Sequence, residues 1–164
     1  MTPLQLVQAK REHAARLANQ SGAAGEQLAI AAMEAWLARP SGNGLRILLA
    51  ELERLGKRIR ATSFDAVHVA GETGFSFLDP AAVRERLPAM TFIEIKTASQ
   101  ECVKQGFAGF FFALNEGEIA AAEVLGVQHR VALFNRRSGE LMLTSVPEVL
   151  RRAKSATWQI SVQL

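Results

Sequence analysis

Cysteine is almost missing from this chain of 164 residues. Cys102 stands alone, which excludes an internal disulfide and any cysteine-based zinc cage. Histidine is nearly as scarce, and His13, His68 and His129 are scattered without a ligand spacing. Long apolar runs are lacking too. The longest, Ala29 to Met33 and Phe107 to Leu114, fall far short of the ~20 residues a membrane span requires. The opening Met1-Thr2-Pro3-Leu4-Gln5 has no basic stretch followed by a hydrophobic one, so no signal peptide and a cytoplasmic location are expected. No repeat, low-complexity segment or linker marks a boundary, and residues 1–164 read as a single domain.

What is present suits a globular α/β protein. Hydrophobic residues make up 49% of the chain and mean hydropathy is +0.08, enough apolar material to enclose a core. Net charge is +3, with basic groups at Lys57-Arg58-Ile59-Arg60, Arg84 and Arg86, Arg136-Arg137 and Arg151-Arg152-Ala153-Lys154. Such groups can neutralise phosphates and steer a polyanion, and on a folded domain they equally form solvated faces.

Periodicity predicts helices over residues 3–19, 25–38 and 45–55, the last two closed by Arg39-Pro40-Ser41-Gly42 and by Gly56. Three helices thus precede the first strand. Strands are expected at 59–69, 90–97, 107–114, 129–135, 141–144 and 157–162. A helix over 116–125 has Asn115 as N-cap, Glu118 at capping-box spacing and Gly126 as its stop, and a final helix begins near Pro147 behind Ser145. Residues 71–90 show no clean period and read as an insertion, a flap near the site.

The chemistry concentrates in Thr91-Phe92-Ile93-Glu94-Ile95-Lys96-Thr97. Along a strand Phe92, Glu94 and Lys96 share one face and Ile93 and Ile95 the other. With Asp65 in Phe64-Asp65-Ala66-Val67, the pattern is two carboxylates suited to a hard divalent cation and a lysine beside them. Phosphodiester cleavage is the leading reading. The plainer reading is a charge pair on a solvated sheet face. Glu26 sits with Ile30, Met33 and Leu37 on one helical stripe, where a carboxylate needs a metal-bound water, a basic partner or the helix dipole to offset its burial. Glu118 reads as a cap, and Phe110-Phe111-Phe112 as core.

Taken in order, Gly25-Glu26, Phe64-Asp65-Ala66-Val67, Phe92 to Thr97, Gly109 to Leu114, the helix with Glu118 and Gly126, and Arg130 to Asn135 resemble the PD-(D/E)xK nuclease superfamily. Within it, the nearest likeness is to the small domain at the C-terminus of the plant NO VEIN protein and its bacterial relatives, over roughly residues 25–135. The resemblance implies a restriction-endonuclease-like mixed sheet flanked by helices, behind an N-terminal helical segment. It implies a catalytic set of Glu26, Asp65, Glu94 and Lys96, with Mg²⁺, or Mn²⁺ in its place, held by Asp65, Glu94 and the Ile95 carbonyl. Lys96 would orient or deprotonate the attacking water. The expected partner is nucleic acid, DNA above RNA, in restriction, repair or defence, and no membrane. A second copy of the chain, through the helical N-terminus, is the other partner considered. The proline that names the motif is replaced by Phe64. The rival reading is a catalytically silent member that binds nucleic acid or a partner protein through the same scaffold.

Overall fold

Alternation along Thr91–Ala98 is the organising feature of the structure, a computed structural model that describes residues 22–72, 74–98 and 103–156. This strand, β3, is the longest among the described residues, where it lies at the centre of a five-stranded mixed sheet in the order β1-β2-β3-β4-β5. Its neighbours are β1 (Trp36–Ala38), β2 (Ala66–His68), β4 (His129–Asn135) and β5 (Leu141–Thr144). β3 and β4 run parallel, Phe92 beside His129 through Ala98 beside Asn135, and the other pairs are antiparallel. A parallel pair needs a crossover, and helix α4 (Glu116–Leu125) provides it.

The two faces of β3 enter different cores. Phe92 packs with Phe64, Val67 and Val69 and with Leu48 and Leu52 of helix α2 (Gly42–Arg54), Val83 of helix α3 (Pro80–Arg86) and Ala121 and Leu125 of α4. Ile93 and Ile95 pack on the other side with Ala66, Ala132, Trp36 and Ala29, the last carried by helix α1, described over residues 22–31. Farther along, Ala98, Val131 and Leu133 join Val103, Phe107 and Val146, which opens helix α5 (Val146–Arg152).

Local chemistry explains most of these elements. Asn115 and Glu118 form the expected capping box, with each side chain bonded to the other's backbone. Asp79 caps α3 by accepting from Ala81 N–H at 2.9 Å, with Pro80 in the first turn, and Ser145 caps α5. The strands at 129–135 and 141–144 fall where the alternation puts them.

Four expectations are corrected. The helix expected over 25–38 is interrupted: helical structure ends at residue 31, Ala35 turns the chain at a φ of 63°, and Trp36–Ala38 become an edge strand paired with β2. A strand therefore precedes α2, and the apolar stripe hid the break because no glycine or proline marks it. The strand expected over 59–69 shrinks to Ala66–His68, since residues 60–63 turn, Ser63 N–H bonding to the Arg60 carbonyl at 3.1 Å. Residues 107–114 form no strand. Gly106 and Phe107 take positive φ, after which Phe110 and Phe112 pack inward and Phe111 outward without a ladder partner, so burial alternates as in a strand. Finally, residues 71–90 do not form a flap: Phe77, Val83 and Leu87 are core residues packed against α2. The helix expected over 3–19 and the strand over 157–162 lie outside the described residues.

Candidate active site

Strand β2 stops one residue short of Asp65, and the site is built in the gap. The Asp65 N–H still reaches the Ile93 carbonyl at 2.8 Å, but its carboxylate then takes over the ladder, Oδ2 accepting from Ile95 N–H at 2.8 Å. A side chain thus stands where the next backbone carbonyl of β2 would stand. In an extended strand a residue's N–H and C=O face the same neighbour, so the Ile95 carbonyl also faces the edge that β2 has left.

Glu94 and Lys96 follow Phe92 on the face covered by α4, and neither lies on a solvated surface. Glu94 is only 5% exposed. Its Oε1 is 2.8 Å from Lys96 Nζ, while Oε2 is buried without a hydrogen-bond partner among the described residues. Lys96 Nζ also donates to Glu118 Oε2 at 2.9 Å. Glu118 is therefore both cap and counter-charge: its oxygens accept from Asn115 N–H at 3.0 Å and Asn115 Nδ2 at 2.6 Å as well as from the lysine. The capping signal was readable in the sequence, whereas its reach to Lys96 depends on where α4 docks.

Glu26 approaches from the opposite side of the sheet. α1 crosses β3 so closely at Gly25 that an added Cβ would lie 2.4 Å from Thr97 Cγ2. Only glycine permits that approach, which brings the half-buried Glu26 within electrostatic range of Asp65 and Lys96. Arg39, which the sequence reading passed over as part of a helix stop, is here too. Its backbone N–H bonds to the Asp65 carbonyl at 2.8 Å and its guanidinium to the Phe64 carbonyl at 3.0 Å, and its charge acts on Glu26 and Asp65. The only signal for Arg39 was a lone cation before Pro40.

The electrostatics show strain in the charge balance. Burial, then the neighbouring Asp65 charge, pushes Glu94 from an ordinary 4.5 up to about 8, despite Lys96. Burial likewise raises Asp65 against the opposing Ile95 N–H, Lys96 and Arg39, and burial followed by Asp65 raises Glu26. For Lys96 burial favours loss of the proton, but the charges and hydrogen bonds of Glu94 and Glu118 outweigh it and hold the ammonium above its ordinary value. With all four ionised, the carboxylates Glu26, Asp65, Glu94 and Glu118 would exceed the two cations Lys96 and Arg39 by two charges, and the raised pKa of Glu94 is the cluster's response to that excess.

The structure thus gathers Asp65, Glu94 and Lys96 with Glu118, and sets Glu26 at the margin. Among the described residues, no three histidine, cysteine, aspartate or glutamate side chains converge as a preformed metal cage. His129 is buried at the start of β4 beside Phe92, where burial lowers its pKa and keeps it neutral. Among the described residues no helix is long and apolar enough to cross a membrane. Compared with family models, curated proteins and solved structures, the chain matches none.

Proposed function

We propose that this protein is a metal-dependent nuclease of the PD-(D/E)xK type on a restriction-endonuclease-like fold, hydrolysing phosphodiester bonds in DNA. The observation that carries the reading is Glu94: a buried carboxylate with one oxygen unpartnered among the described residues, beside Asp65 and Lys96, at the point where β2 leaves β3. Buried carboxylates as a rule have their oxygens hydrogen-bonded, so an oxygen left over supports a role beyond structure.

The donor set fits a hard divalent cation. Mg²⁺ takes one or two carboxylates and keeps the rest of its octahedron for water and substrate phosphate, so Asp65, the open oxygen of Glu94 and the Ile95 carbonyl suffice without a three-residue cage. The excess of two negative charges that full ionisation would leave in the cluster also equals one such ion. When bound, the cation polarises the phosphoryl group and lowers the pKa of a coordinated water.

The chain's own residues do the rest. Lys96, held protonated by Glu94 and Glu118, acts as a donor: it orients the attacking water and offsets negative charge growing on the phosphoryl oxygens. Its raised pKa argues against the alternative role of deprotonating that water. Glu118 keeps the ammonium in place when Glu94 turns to the cation. Glu26 supplies a further acceptor for water at the margin.

The test is incubation with supercoiled plasmid, single-stranded DNA and RNA in Mg²⁺, Mn²⁺ or EDTA, with Lys96→Ala in parallel. The expected result is plasmid nicking that EDTA abolishes and the variant lacks. Equal nicking by the variant would assign the activity to a contaminant. Metal-independent binding without cleavage would identify the silent scaffold instead.

A further inference from the structure

We infer that Arg39 is the residue of this site that contacts a substrate phosphate, its guanidinium anchored on the Phe64 carbonyl next to Asp65. The inference rests on the hydrolytic reading above and goes beyond it by naming a substrate-binding residue.

Lys96 is already engaged, with its ammonium between two carboxylates at 2.8 and 2.9 Å. Arg39 is differently placed. It is half-buried on the loop after β1, and its backbone is fixed to the Asp65 carbonyl. Of the five N–H donors of its guanidinium, the one hydrogen bond seen among the described residues runs to the Phe64 carbonyl at 3.0 Å. Among the described residues the guanidinium makes no hydrogen bond to the carboxylate of Asp65 or Glu26, although its charge reaches both. A guanidinium anchored through one nitrogen, with its remaining donors uncommitted among the described residues, matches the fork that a phosphate accepts.

Charge balance leads to the same assignment. With a divalent cation in the cluster, four carboxylates and two basic side chains sum to neutrality, so a phosphodiester can approach. Without Arg39 the cluster would stay net negative and repel it. The arginine therefore supplies a phosphate contact and cancels carboxylate charge facing the substrate.

The experiment measures binding of a short fluorescein-labelled DNA duplex by fluorescence anisotropy in Mg²⁺ over a salt series, in the Lys96→Arg background, which keeps the charge of the cluster while disturbing the geometry that cleavage needs, so that the duplex stays intact. Arg39→Gln is expected to weaken binding about 3- to 10-fold and to reduce the slope of log K against log salt by about 1, the signature of one lost phosphate contact. Arg39→Lys should restore the slope, since it keeps the charge, and recover affinity in part. An unchanged slope in Arg39→Gln overturns the inference even if affinity or Tm falls, because a loop tether alone does not alter counterion release. Absence of duplex binding in the background protein overturns it as well. The hydrolytic reading fails separately, if wild-type protein cleaves no nucleic acid in any metal, and the salt slope then still reports whether Arg39 meets a phosphate.

Discussion

Two glutamates in this molecule are buried to nearly the same depth and live in opposite circumstances. Glu51 on α2 is 6% exposed and Glu94 on β3 is 5% exposed. Glu51 is gripped by the Arg84 guanidinium through both oxygens, at 2.8 and 3.0 Å, and the Arg84 hydrogen bonds hold its pKa below the ordinary carboxylate value. Its partner is half exposed, so the pair keeps water on one side. Glu94 has one ammonium on one oxygen, none on the other, and Asp65 nearby, and it is pushed up to about 8. The first arrangement joins α2 to α3. The second leaves a charge deficit in a dry place, which is how carboxylates awaiting a cation are set. Burial alone does not single out an acid for a functional role, and it is the unfinished pairing of Glu94 on which the proposed role rests.

The largest effect that would break this contrast lies in activity. Asp65→Asn and Glu94→Gln are expected to lower plasmid nicking by about 10²- to 10³-fold, the range seen when electrostatic catalytic groups are removed. Glu51→Gln should leave the turnover of folded protein within about threefold, because it touches nothing that reacts. Equal losses in all three, at matched folded concentration, would erase the distinction.

The second effect is the opposite pH dependence of stability. Between 4.5 and about 8 folded Glu94 holds a proton that the unfolded chain has released, so its influence makes the native state less stable as pH rises through that window. Glu94→Gln should flatten this decline, gaining on the order of 3 kcal/mol over wild type near pH 9 relative to pH 5 in urea titrations. Glu51 has a lowered pKa, so its contribution is present above the unfolded value and disappears as pH falls through its folded one. Glu51→Gln should therefore cost stability at neutral pH and little in acid. Parallel pH profiles for the two variants would refute the assignment.

A smaller effect concerns the approach of α1. Gly25→Ala forces a methyl to within 2.4 Å of the Thr97 side chain, and is expected to cost about 1–3 kcal/mol by denaturant unfolding. It should also reduce nicking, since Glu26 moves with the helix. The smallest is the cap: Asn115→Ala should cost about 1 kcal/mol, with α4 still tied to β3 through Lys96 and Glu118.

Much of the candidate site was legible because it lies on one strand. Alternation alone put Glu94 and Lys96 on the face of Phe92, and the capping box fixed the start of α4 and hence Glu118. Glu26 was legible as a carboxylate on an apolar stripe. The unread parts all depend on distance along the chain. Trp36–Ala38 kept a helical period while pairing as a strand with residues some thirty positions later, and no local signal announces such a partner. Arg39 gains its meaning only from lying against Phe64 and Asp65. The alternation of Phe110 to Phe112 was genuine, but it describes which side chains are buried and not whether a ladder exists.

The early end of β2 has a consequence for how such a protein could lose its chemistry. Extending that strand by a single paired position, through an insertion between Phe64 and Ala66, would bring a peptide oxygen to the Ile95 N–H and turn the aspartate out of the notch. Every acidic residue would survive and a backbone bond would replace the side-chain one, yet the place proposed for a cation would be filled by ordinary backbone. Spacing in this short segment, more than the identity of its residues, separates a reactive edge from an inert one.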